Sequence, residues 1–311
     1  MNVAFVSHSD CGRHDTGWSH PEHVGRLRAV TRALEKDPDL YVTLLHHEAR
    51  HATEEELLLG HSSGYVHEVQ QTAEHLDGGR LDPDTVVSEG SWMAATAAAG
   101  AVLDAVDLAV SGEAIHSFCA VRPPGHHALP QSAMGFCLFG NIGIAARYAR
   151  RTKGLDRVLI VDWDVHHGNG TQAIVESDAN LRFVSMHQWP WYPGTGAASD
   201  RGPHSTVWNL PMEPGLPREA YVGALLGGID DATRGFTPDL VLVSAGFDSL
   251  AGDPLGGFTL ELDDIERLTK EVVSRAGHWC DGRVVSALEG GYVPDRLGEA
   301  VARHLWAMMR G

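Results

Sequence analysis

Cysteine is scarce in this chain: Cys11, Cys119, Cys137 and Cys280 are the 4 in 311 residues, with no C-x-x-C pair and no regular spacing. That pattern argues against a thiolate zinc site and fits reduced thiols. Basic residues are also few, 24 Lys and Arg against 41 Asp and Glu, for a net charge of −17. Such a balance opposes binding to phosphate backbones, so no nucleic-acid partner is expected, and it favours cationic substrates by long-range attraction. Long apolar runs are missing. The longest weakly polar stretch, Trp92 to Leu103, is interrupted by Thr96 and ended by Asp104, short of the ~18 apolar residues of a membrane span. The start, Met1-Asn2-Val3-Ala4-Phe5-Val6, has no basic region and runs into His8 and Asp10, so it reads as a strand rather than a signal peptide. A cytoplasmic protein with no membrane partner is expected. No repeat and no linker rich in Pro, Ser or charge divides residues 1–311, which read as one domain; nothing in them specifies an oligomer. A chain of this length buries roughly 75% of its unfolded surface and needs no staple.

What is present is an alternation. Arg157–Val161, Phe183–Met186, Leu240–Val243 and Val284–Leu288 are short, near-continuously apolar runs, as strands buried on both faces should be. Helical patterns fill 217–232, 260–276 and 294–309, and earlier 21–35, 65–75, 91–110 and 142–151. This order predicts an α/β fold, a doubly wound, mainly parallel sheet with helices on both faces. Two long loops, 121–140 and 187–203, stand out as functional candidates.

Ligands of a parallel sheet bind beyond the carboxyl ends of its strands. Those ends are polar here. Val161 is followed by Asp162-Trp163-Asp164-Val165-His166-His167-Gly168-Asn169-Gly170, Val243 by Ser244-Ala245-Gly246-Phe247-Asp248, Leu288 by Glu289-Gly290-Gly291-Tyr292, and Met186 by His187. Asp164 and His166, two apart, project to one side of an extended segment. With Asp248 they supply three ligands and leave an open position, a catalytic zinc arrangement, although iron(II) accepts the same donors. In the first long loop, His126 and His127 follow Arg122-Pro123-Pro124-Gly125. They could be a metal pair, surface decoration or a paired general acid and base. Tyr292 could be an oxyanion donor or a buried tyrosine with an acceptor.

The Arg122–His127 run, the Asp162–Gly170 block, Gly246-Phe247-Asp248 with Gly252-Asp253-Pro254, and Glu289–Tyr292 resemble the zinc-dependent histone deacetylase family in its arginase-like fold, nearest its class II and bacterial branch. The resemblance runs from His20-Pro21-Glu22 to the last helix. It implies a deacetylase, a hydrolase of linear amides, with one zinc on Asp164, His166 and Asp248. It implies proton transfer by His126, facing Asp162, and His127, facing Asn169, with Tyr292 on the scissile carbonyl. It further implies a substrate channel of Gly135, Phe136 and Tyr192, and a structural potassium on Asp162, Ser185 and the carbonyls of Asp164, His166 and Met186. Asn169 stands where class I members carry aspartate. Leu255 stands where polyamine-selective relatives carry an acidic residue, so an acylated lysine is the expected substrate, with an acetylpolyamine or small acylated amine as the alternative.

Three other readings fit less well. Gly60-His61-Ser62-Ser63-Gly64 matches G-x-S-x-G, but that motif needs a preceding strand, and 54–59 reads as helix. A binuclear manganese ureohydrolase needs further bridging carboxylates, yet Gly168 and Ser249-Leu250 occupy the places for them. A non-catalytic acyl-lysine binder would not need both histidines, all three ligands and Tyr292.

Overall fold

The computed structural model describes residues 2–75 and 78–311; Met1 of the expected first strand lies outside them. Five strands of the main sheet are those foreseen: β1 (Val3–Ser7), β6 (Val158–Asp162), β7 (Leu181–Gln188), β9 (Leu240–Ala245) and β10 (Val284–Leu288). Three strands the apolar pattern did not announce complete it: β2 (Leu45–Glu48), β5 (His116–Cys119) and β8 (Val207–Met212). The order is β2-β1-β5-β10-β9-β6-β7-β8, and all these pairings are parallel. A separate antiparallel hairpin, β3 (Gly79–Asp82) and β4 (Thr85–Val87), was also unforeseen.

Side chains alternate between two cores. Val158 and Ile160 of β6 join one, Leu159 and Val161 the other, and Leu242 and Val243 of β9 divide the same way. The first core packs under α3 (Glu54–Leu57), α4 (Ser63–Glu74), α5 (Ser91–Ser111), α6 (Asn141–Arg151) and α7 (Asn169–Val175). The second packs under α1 (Gly25–Glu35), α2 (Pro38–Thr43), α8 (Arg218–Thr233), α9 (Leu262–Trp279) and α10 (Pro294–Arg310). The sheet is therefore doubly wound.

Two expectations need correction. The helix expected from Pro21 begins at Gly25, because the preceding residues carry Glu22 into a buried ion-pair network. Second, α5 is 21 residues long and, by length and composition alone, apolar enough to cross a membrane. In this fold it is a core helix, 78% buried over its apolar window, and its alanines and Gly100 let other backbone approach. Gly112, in the left-handed conformation at φ 77°, ends it.

Candidate active site

All the motif-bearing segments emerge at the carboxyl edge of the sheet. Asp162 closes β6; Asp164 and His166 lie in the turn to α7, and Asn169 opens that helix. Asp248 follows β9, Glu289 to Tyr292 follow β10, and Arg122 to His127 follow β5. His187 is not beyond its strand as expected: β7 runs on to Gln188, and the His187 ring bonds Ser185 and the Gly196 carbonyl instead.

Donor atoms of Asp164, His166 and Asp248 lie within 4.8 Å of one another, all buried. His166 Nδ1 is 3.0 Å from Asp164 Oδ1 and 3.2 Å from Asp248 Oδ2. One ring nitrogen cannot satisfy two carboxylates, and Asp248 Oδ2 is buried with no hydrogen-bond partner. The remaining carboxylate oxygens are held from outside, Asp164 Oδ2 by the Gly290 N–H at 2.8 Å and Asp248 Oδ1 by the Val165 N–H at 2.9 Å. A pocket of two carboxylates and an imidazole, with one acceptor left over, fits a divalent cation with borderline preferences. Its electrostatics agree. Burial, followed by the Asp164 charge, pushes the Asp248 carboxyl up to about 7. Against the opposing effect of burial, the two carboxylates raise His166 to about 10. Glycines make the room: a Cβ on Gly246 or Gly290 would collide with the Asp164 or Asp248 carboxylate.

The two histidines sit beside this cluster, ring centroids 4.0 Å apart. His126 Nδ1 lies 3.1 Å from Asp162 Oδ2, and His127 Nδ1 lies 2.7 Å from Asn169 Oδ1. Burial would depress both, but Asp164 and Asp162 raise His126 well above its ordinary value. His127, opposed by burial and then by the His126 charge, is pushed well below it. Asp162 also pairs in register with Ser185 on β7, next to Met186.

A cleft of about 210 Å³ leads to the cluster, lined by Asp84, His127, Gly135, Phe136, His166, Trp191, Tyr192, Leu255 and Tyr292. Gly135 takes φ 57°, and a Cβ there would strike the His127 ring. Phe136 meets Tyr292 edge to face at 5.9 Å, and Tyr192 meets His127 at 5.1 Å.

Several site residues escaped the sequence reading. Asp84, in the β3–β4 turn, accepts the Gly135 N–H at 3.1 Å and faces the cleft; nothing local marks it out. Trp191 covers the mouth and donates its indole N–H to the Leu255 carbonyl at 2.8 Å. Glu289 Oε2 accepts the N–H groups of Gly125 and His126 at 2.7 and 3.1 Å. Asp253 Oδ2 accepts the Tyr292 N–H at 2.7 Å. Behind them Glu22 links Arg122 to Arg26, and Arg26 donates to the Glu289 and Gly291 carbonyls and stacks under the Tyr292 ring at 5.1 Å. Glu22, Arg122, Asp253 and Glu289 fall within the quoted motifs, so only their roles went unread.

The site is thus that of an amidohydrolase: a buried cluster of two aspartates and a histidine, a stacked histidine pair beside it and a tyrosine lining a narrow cleft. The histone deacetylase domain model matches residues 20–308, and the chain belongs to that family. Its activity is that of a deacetylase or amidohydrolase. The Synechocystis protein slr0245 is 41% identical over 97% of this chain and 98% of its own. Human polyamine deacetylase HDAC10 is 38% identical over 97% of this chain but only 47% of its own length. The crystal structure of the HDA15 HD domain superposes with a TM-score of 0.93 at 34% identity, covering 99% of this chain and 88% of that one.

Proposed function

We propose that this protein hydrolyses the acyl amide of an acetylated, or longer-chain acylated, lysine side chain, with a zinc ion on Asp164, His166 and Asp248. The observation that carries the proposal is the unsatisfied Asp248 Oδ2 beside a histidine nitrogen shared between two carboxylates, at the base of the cleft. When bound there, zinc supplies a nucleophilic water at neutral pH and polarises the amide carbonyl. His127, held by Asn169 with its other nitrogen towards the cleft, takes the water's proton, and the His pair returns a proton to the leaving amine. Tyr292, fixed by Asp253 and Arg26, donates its hydroxyl to the developing oxyanion. Phe136 and Tyr192 wall the lysine stem and exclude water. A structural potassium on Asp162, Ser185 and the carbonyls of Asp164, His166 and Met186 would tie the ends of β6 and β7 beneath the site. Iron(II) in place of zinc remains the metal alternative.

Leu255 supports lysine over a polyamine. A second cationic amine at the mouth needs a carboxylate to offset its desolvation. Asp84 is the one carboxylate among the cleft residues, and its Oδ1 already accepts from Gly135 and Thr85. The name of the human polyamine deacetylase keeps the alternative in view. Chelator-treated protein is expected to lose hydrolysis of acetyl-lysine peptides and regain it with one equivalent of zinc. At high ionic strength, where attraction by the net charge is screened, those peptides should exceed acetylspermidine and acetylputrescine in kcat/KM. Activity that survives metal removal would refute the metal mechanism, and polyamine preference at high salt would move the substrate alone.

A further inference from the structure

A second convergence of metal-type donors lies away from the active site, where β1 and β2 end near one margin of the sheet. His8 follows β1, Asp10 sits in the tight 3-10 turn Ser9–Arg13, and His51 lies between β2 and α3. A donor atom from each lies within 4.8 Å of the others. Asp10 Oδ2 is 3.2 Å from His51 Nε2 and 3.8 Å from His8 Nδ1. Tetrahedral zinc, with bonds of roughly 2.0–2.1 Å, spaces its ligands roughly 3.3 Å apart. Little movement separates the observed set from that geometry.

Hydrogen-bond direction gives a second, independent indication. The Thr96 hydroxyl donates to the Trp92 carbonyl at 2.9 Å, so towards His51 Nδ1, 2.8 Å away, it is an acceptor. His51 therefore carries a proton on Nδ1, which leaves Nε2, 3.2 Å from Asp10 Oδ2, as its ligating nitrogen. On the other side the lone pair of His8 Nδ1 accepts the Asp10 backbone N–H at 3.0 Å. Asp10 Oδ1 is engaged by Arg13 at 3.5 Å, leaving Oδ2 for whatever lies between the rings. A cation shared by the three would take Asp10 Oδ2 and His51 Nε2 directly, and His8 Nδ1 in exchange for the Asp10 N–H.

We propose that His8, Asp10 and His51 form a second site for a divalent transition metal. Two imidazoles and a carboxylate suit zinc, cobalt, nickel or copper rather than magnesium or calcium. The side chains are 14%, 18% and 32% exposed, so an ion can enter and keep a water or an exogenous ligand. Bound there, it fastens the Ser9–Arg13 turn to the segment after β2. The same turn and its continuation offer the Cys11 and His14 carbonyls to Arg122, so the brace reaches the root of the loop bearing His126 and His127.

The test uses zinc and the full chain. Protein stripped by chelator is dialysed to equilibrium against low-micromolar zinc with excess magnesium, and metal per chain is measured for the wild type, His51→Gln and Asp10→Asn. The wild type should hold one equivalent more than either variant, while both variants keep amide hydrolysis. Anomalous diffraction at the zinc edge from wild-type crystals should place density between His8, Asp10 and His51, which needs no variant to fold. Equal metal content with no density there overturns the proposal and leaves a simple imidazolium–carboxylate pair. Density there but none at Asp164, His166 and Asp248 would support this site and reject zinc at the other.

Discussion

His126 and His127 are adjacent in sequence, yet their environments drive them in opposite directions. His126 faces the carboxylate of Asp162, whereas His127 faces the uncharged Asn169 amide. A group that stays neutral beside a polarised water is suited to accept its proton. His127→Ala should retain bound metal and lose turnover by about 10²–10⁴-fold, the usual worth of a general base; metal analysis and kcat on one preparation check both parts. Gly290→Ala should act differently, because its new methyl group collides with the Asp248 carboxylate and disturbs the N–H that holds Asp164. Here metal content and activity are expected to fall together, with the far-UV spectrum unchanged. At this scale the sequence was highly legible. Asp164 and His166 do converge, but through the turn after β6, in which the His166 N–H bonds Asp164 Oδ1 at 2.9 Å, rather than along an extended strand; Gly290 stands beside carboxylates that a side chain would strike. Asp84 was illegible, since its role comes from a hairpin 51 residues away from the Gly135 it holds.

Among the elements, the long loop after β5 has the most at stake, and His61 is its buried clasp. Its Nε2 accepts the Gly140 N–H at 2.8 Å and its Nδ1–H donates to the Leu129 carbonyl at 3.0 Å. The Ser62 N–H adds a bond to the Pro130 carbonyl at 2.9 Å. The G-x-S-x-G match therefore serves as a brace: Ser62 caps α4, and no strand precedes it. His61→Phe keeps the volume but leaves the Gly140 N–H unpaired, an expected cost of about 1–3 kcal/mol if it stays dry, while the Leu129 carbonyl keeps only the Ser132 N–H at 3.4 Å. Denaturant titration should register that loss, and kcat should fall with it because His126 and His127 ride on the same loop. The central strand β5 was missed for a related reason. His116-Ser117-Phe118-Cys119 has no apolar signature, yet β1 and β10 pair with it on either side and all four residues are buried. The edge strand β2 lacks an apolar run because solvent reaches alternate residues, and the run of β8 is broken by Asn209 and Pro211.

The molecule as a whole should be acid-sensitive through buried histidines outside the catalytic cluster. Burial depresses His14 and His61 to about 4 and His304 to about 3. His304 is held by Thr269 and Ser286 hydroxyls at 2.7 and 3.0 Å among aromatic rings. At pH 7 these rings are neutral whether the chain is folded or not. As pH falls below ~6.5 the unfolded chain takes up protons that the folded one refuses until about 4, so stability drops across that window. Each histidine contributes a slope of about 1.4 kcal/mol per pH unit there. Chemical denaturation at pH 7 and pH 5 should show the loss, and His304→Gln should reduce the slope by about one proton.

Composition and order along the chain were enough to specify a doubly wound, mainly parallel sheet and the edge at which its polar residues collect. Those features depend on local periodicity and on residues that end strands, which sequence displays directly. Only the tertiary structure decided the rest: that Asp84 and Trp191 join the cleft, that Glu22 ties Arg122 to Arg26, and that His8 meets His51. Each is a contact between segments that the chain brings together by burying apolar faces elsewhere. No spacing in the sequence records it, because the energy that fixes it belongs to the packed core and not to the residues that touch.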